Sequence, residues 1–127
     1  MMLHLQLKEQ IETHFAAHLN KGVVMLQDAL QLSLSNGVEA EIRYFNPVEY
    51  SLRWVWGAAE SRIDTAPLHA GLETSPNHFH NMAGQVVSDP LTVHGGEPWN
   101  NVRTLLGALI QNPALDEAPS IKGRSAP

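Results

Sequence analysis

A chain of 127 residues is the size of one domain, and a chain this long buries roughly two thirds of its unfolded surface around a single core. It has no cysteine, which excludes a disulfide framework and any thiolate metal site and suits a reducing, cytoplasmic compartment. Eight Lys and Arg stand against thirteen Asp and Glu for a net charge of −5, which speaks against a general nucleic-acid-coating protein and leaves only a local basic patch for such a partner.

Residues 3–19 read as a helix, because Leu7, Ile11, Phe15 and Leu19 recur at four-residue steps and make one apolar stripe. Lys8, Glu9, Gln10 and Glu12 break the run that a secretory leader would need. No segment reaches the roughly 18 consecutive apolar residues of a membrane span. Asn20-Lys21-Gly22 is the expected helix stop, with Gly22 in a left-handed conformation.

From Val23 the period changes to two. Leu30, Leu32 and Leu34 alternate with polar residues, and so do Val38, Ala40, Ile42 and Tyr44 beyond Asn36-Gly37. This predicts a hairpin with a two-residue turn and both apolar sets on one face. Asn46-Pro47 ends the second strand. A third strand is expected from Tyr50 to Trp56 and a fourth over about residues 60–65, with Gly57-Ala58-Ala59 between them. Gln85-Val86-Val87 suggests a further short strand, and Thr92 to Trp99 a loop. Asn100 or Asn101 is expected to cap a second helix through about Gln111, which buries Val102, Leu105, Leu106, Leu109 and Ile110. The predicted fold class is α+β. An antiparallel meander of four or more strands packs on the N-terminal helix, followed by a C-terminal helix. Residues 1–112 form the domain and 113–127 a flexible tail.

The chemistry concentrates in residues 62–80. His78 and His80 stand two apart, so in a strand both imidazoles point to one side, and a return of the chain brings His69 near them. Imidazoles alone change charge near neutral pH without help. Three of them suit proton transfer or a borderline metal such as zinc; equally, they brace an irregular loop by bonding its carbonyls. Asp64 is placed to orient an imidazole, or else to accept backbone N–H bonds before Ala66-Pro67. Arg43, Arg53 and Arg62 fall on one strand face, ready for an anionic partner or for Glu39, Glu41 and Glu49. Tyr50, Trp54 and Trp56 form an aromatic stripe, either core packing or a platform for bases. His14 and His18 read as a helix flank and His94 as a loop residue. No nucleophile elbow, dinucleotide fingerprint or phosphate loop occurs, so no cofactor is expected.

These residues resemble a family. Trp54-Val55-Trp56, then Arg62-Ile63-Asp64-Thr65-Ala66-Pro67-Leu68-His69, then Thr74-Ser75-Pro76-Asn77-His78-Phe79-His80 are similar to the TumE-like toxins of bacteria and archaea. That family pattern runs from an aromatic strand through Asp-Asn-Ala-Pro-His-His and Phe-Pro-His-His-x-His to a short strand and a helix. The resemblance covers about residues 28–111. Asp64, Ala66, Pro67, His69, Pro76, His78 and His80 match, whereas Thr65, Leu68, Ser75 and Asn77 depart from it. It implies the toxin of a toxin–antitoxin pair, held by an antitoxin protein, with RNA as the suggested substrate. On that reading His69, His78 and His80 exchange protons with a phosphodiester, Asp64 orients one ring, and Arg62, with Arg53 and Arg43, binds the anion. The alternative is a non-catalytic interaction module that binds a protein partner or a second copy of itself as a homodimer.

Overall fold

The computed structural model of the chain describes residues 2–116. It opens with helix α1, Met2–His14, whose Leu7 and Ile11 are fully buried, followed by buried Phe15. The helix ends before the predicted Leu19. Ala16–His18 form a single 3-10 turn, and Leu19 is extended (φ −97°, ψ 138°). The sheet draws these residues out of the helix: Asn20 N–H donates to Ser33 O at 3.0 Å and Ser35 N–H to His18 O at 2.8 Å. Gly22 is not among the glycines with positive φ. The chain is instead held there by Glu12, whose Oε2 accepts from Val23 N–H at 2.9 Å.

Seven strands follow: β1 Val24–Met25, β2 Leu30–Ser33, β3 Glu39–Tyr44, β4 Tyr50–Trp56, β5 Ala59–Asp64, β6 His78–His80 and β7 Val86–Ser88. They form one sheet in sequence order, antiparallel throughout. The β2–β3 connection corrects the predicted two-residue turn. Leu34 N–H donates to Val38 O at 2.8 Å, which leaves Ser35, Asn36 and Gly37 as a three-residue turn with Gly37 at φ 97°. A turn made of Asn36-Gly37 alone would set Leu34 opposite Glu39. The extra residue sets Leu32 opposite Ala40 and Leu30 opposite Ile42, so both apolar sets reach one face. The two-residue turn occurs one hairpin later, where Trp56 pairs with Ala59 across Gly57-Ala58 and Gly57 has φ 64°.

That face carries Leu30, Leu32, Ile42, Tyr44, Tyr50, Leu52, Trp54, Ile63 and Phe79, all buried, and it meets α1 and helix α2, Pro98–Gln111. Burying each large apolar side chain contributes roughly 1.5–3 kcal/mol. Trp54 stacks on Phe79, with ring centroids 5.8 Å apart and planes 13° apart. Trp54 and Tyr50 are therefore core residues rather than a platform for bases. Trp56, at the strand end, is exposed and donates to Asn36 O.

α2 starts at Pro98, whose ring fixes a helical φ at the first turn. Neither Asn100 nor Asn101 caps it. Glu97 stands at the cap position without a side-chain bond, and Asn101 instead clamps Val93, accepting from its N–H at 2.9 Å and donating to its carbonyl at 3.1 Å. Beyond the helix, Pro113 O accepts from Trp54 Nε1 at 2.9 Å and Leu115 packs on the core. The remainder of the predicted tail, 117–127, lies outside the described residues. Among the described residues no helix is long and apolar enough to cross a membrane.

Candidate functional site: a histidine cluster on the outer face of the sheet

Both helices pack on one face of the sheet, so residues alternating with the core set point to the other. On β5 these are Arg62 and Asp64, on either side of buried Ile63; on β6 they are His78 and His80, on either side of Phe79. The antiparallel register sets Asp64 directly opposite His78 and Arg62 opposite His80. Two strands thus place an acid, a guanidinium and two imidazoles in a block of four. The 65–77 connection folds back over this block and supplies His69. Its ring centroid lies 4.5 Å from that of His78 and 6.0 Å from that of His80, and the His78 and His80 centroids are 4.8 Å apart.

Asp64 ties the cluster together. Oδ1 lies 2.9 Å from His78 Nε2 and accepts from Ala66 N–H at 3.0 Å; Oδ2 accepts from Arg62 Nε at 2.8 Å and is 3.9 Å from His80 Nε2. The two sequence roles of Asp64, ring partner and turn acceptor, are therefore filled at once by its two oxygens. His78 Nδ1 also faces an oxygen, Pro76 O at 3.2 Å, so both contacts are donated only when the ring carries two N–H groups. Arg62 Nη2 lies 3.4 Å from His80 Nε2. A guanidinium only donates, so this contact sets Nε2 as the acceptor and the ring proton on Nδ1.

Exposure is graded across the cluster. His78 and Asp64 are buried, His69 is partly exposed, and the side chains of His80 and Arg62 are 32 and 40 % exposed. Burial pushes the His80 imidazole below its ordinary range, and the positive charge of Arg62 pushes the same way against the opposing pull of Asp64. His80 is thus a neutral base at the water-reachable rim. On the side of Arg62 and Asp64 lies a hollow of about 350 Å³ lined also by Phe45, Glu49, Tyr50 and Pro67; none of the three histidines lines it.

A second polar group holds the connection in place, and sequence reasoning missed it. Asn77 Nδ2 donates to Tyr50 Oη at 2.8 Å and to Asp89 Oδ2 at 2.9 Å, and Tyr50 Oη lies 2.8 Å from Thr92 Oγ1. Asp89 also accepts from the Thr92 hydroxyl and from the backbone N–H of Leu91 and Thr92. Thr74 Oγ1 donates to Asn77 O and accepts from Asp89 N–H, both at 2.8 Å. All of this is buried or partly buried and fixes the residue before His78. The one sequence signal is Asp89-Pro90-Leu91-Thr92, a pattern in which an aspartate caps its own turn.

The remaining candidates lie apart from the cluster's centre. Arg53 pairs in register with Arg62 but makes ion pairs with Glu60 (2.8 Å) and Glu41 (3.9 Å). Arg43 binds Asp28 at 2.7 Å and Glu41 at 2.8 Å. His14 packs edge-on against Phe15 and Trp99, and His18 and His94 are exposed. His4, unremarked in the sequence, is buried; its Nε2 accepts from Tyr44 N–H at 3.1 Å, and burial lowers its pKa. Compared with protein-family models, curated proteins and solved structures, the chain matches none.

Proposed function

We propose that this chain is the toxin of a toxin–antitoxin pair and cleaves RNA by acid–base chemistry at His69, His78 and His80. The observation that carries the reading is the convergence of three imidazoles, one buried carboxylate and one guanidinium on a water-reachable patch. In this mechanism neutral His80 removes the proton of a ribose 2′-hydroxyl. The 2′-oxygen attacks the adjacent phosphorus, and the bond from phosphorus to the 5′-oxygen breaks. A protonated neighbouring imidazole delivers a proton to that leaving oxygen, so the products are a 2′,3′-cyclic phosphate and a free 5′-hydroxyl. Arg62 stabilises the charge that develops on the phosphoryl oxygens, and Asp64 keeps His78 oriented. Arg53 and Arg43 stay paired with Glu60, Glu41 and Asp28 and leave the grip on the anion to Arg62.

A variant carrying His78→Ala and His80→Ala is the test, with circular dichroism as the folding check. The expected outcome is that expression of the wild-type chain inhibits growth and that the variant relieves this inhibition. In vitro its RNA cleavage falls by about 10² to 10⁴, the usual contribution of general acid–base groups. Because His78 is buried, His80→Ala alone serves as the second variant. Equal toxicity of folded variants would leave the alternative, a non-catalytic interaction module. That alternative draws on the sheet edges, where Val24, Met25 and Leu26 at one side and Val86 and Val87 at the other are exposed.

A further inference from the structure

We infer that His69, His78 and His80 form a binding site for a single divalent transition-metal ion of the zinc class, independently of any action on RNA. One nitrogen from each ring lies within 4.8 Å of one nitrogen from each of the others. A tetrahedral zinc ion with bonds near 2.0–2.1 Å holds its ligand nitrogens about 3.4 Å apart. Closing the cluster thus asks for movements of about 1.4 Å at most, which the partly exposed loop residue His69 is free to make. His78 and His80 come pre-aimed from one strand, since residues two apart share a face. Asp64 lies outside this group of three nitrogens, with one oxygen 2.9 Å from His78 Nε2 and the other 3.9 Å from His80 Nε2, and is the neighbouring carboxylate that offsets the charge of an arriving cation.

The donor set defines the class of ion. Three imidazoles suit zinc, cobalt or nickel, whereas magnesium and calcium take oxygen ligands. Arg62 is the competitor. Its guanidinium bonds Asp64 Oδ2 and approaches His80 Nε2, so it holds the two groups that an arriving cation needs. Its side chain is 40 % exposed, and swinging to solvent clears the position. The cluster therefore exchanges a guanidinium for a metal ion.

The test is calorimetric titration of the chelator-treated full chain with zinc chloride, with magnesium chloride as the hard-ion control. The expected result is one saturable zinc site per chain that magnesium does not fill. His69→Ala and His80→Ala each weaken it by about tenfold or more, since even orienting partners of ligands cost that much. Arg62→Ala tightens it, and replacing His14 and His18 leaves it unchanged. His78 is left intact because it is buried, and near-ultraviolet circular dichroism verifies that each variant is folded. Absence of saturable zinc binding overturns the inference. So does equal affinity in the His69→Ala and His80→Ala variants, or loss of binding on replacing His14 and His18. None of these outcomes depends on RNA cleavage; a ring that holds zinc does not exchange protons, so the acid–base reading belongs to the metal-free chain and is tested apart from this one.

Discussion

Two buried carboxylates divide the work around the histidines. Asp64 faces the cluster and meets Arg62, His78 and its own turn. Asp89 sits behind it, 6 % exposed, and accepts from two backbone N–H groups, one amide and one hydroxyl. Removing Asp89 leaves several buried donors without acceptors, at about 1–3 kcal/mol for each group left unsatisfied. Asp89→Ala is therefore expected to destabilise the fold by about 3–5 kcal/mol, read as a lower urea midpoint at unchanged slope. Asp89→Asn keeps one carbonyl acceptor and should cost less. The pair of variants separates lost hydrogen bonds from lost volume: equal costs would mean that the bonds are worth little. This network was not legible in the sequence, because Tyr50, Asn77 and Thr92 come together across separations of 15 to 42 residues. The His78/His80 pair was legible only on the condition of a strand, which the sequence did not announce; β6, His78–His80, supplies it and with it the same-side geometry.

At the scale of elements, alternation told more than termination did. Tyr50–Trp56 has the bounds its pattern predicts, and the core faces of β2, β3 and α2 follow their apolar periods. Helix ends were harder to read. Leu19 continues the stripe of α1, yet its backbone bridges to Leu34 at the sheet edge, and a side-chain period cannot say which partner a backbone will choose. The same limit explains the β2–β3 turn, where the Asn36-Gly37 signal was outweighed by the need to put Leu34 and Val38 on one side. Deleting Ser35 tests this parity argument. The deletion keeps Leu34 paired with Val38 and leaves Asn36-Gly37 as a genuine two-residue turn. It costs about 1 kcal/mol, mainly the bond from Ser35 N–H to His18 O. Deleting Glu39 instead turns Val38 away from the core side of the ribbon, and cooperative unfolding is expected to be lost. If both deletions unfold with the same midpoint, turn parity does not control this register.

At the scale of the whole molecule, the net charge of −5 limits how the proposed reaction can use electrostatics. Single-stranded RNA releases roughly 0.7 counterions for each phosphate that a protein neutralises, and the dependence of affinity on salt counts those contacts. Of the three arginines on the outer face, Arg43 and Arg53 are bound to Asp28, Glu41 and Glu60. Arg62 is the one beside the imidazoles, and its partner Asp64 leaves it 40 % exposed. A substrate gripped there by Arg62 and one protonated ring meets about two charges, so log affinity should fall against log salt with a slope of about −1.4. The acidic remainder repels RNA at long range, and salt screens that repulsion. Association should accordingly be no slower at 0.2 M salt than at 0.05 M, opposite to a basic RNA-binding protein, so the affinity loss appears as faster dissociation. Stopped-flow binding of a short single-stranded RNA to the His80→Ala variant, which binds without cutting, measures both quantities. A slope of −4 or steeper, with association that slows as salt rises, would place the RNA on a basic surface other than the outer face of β5 and β6.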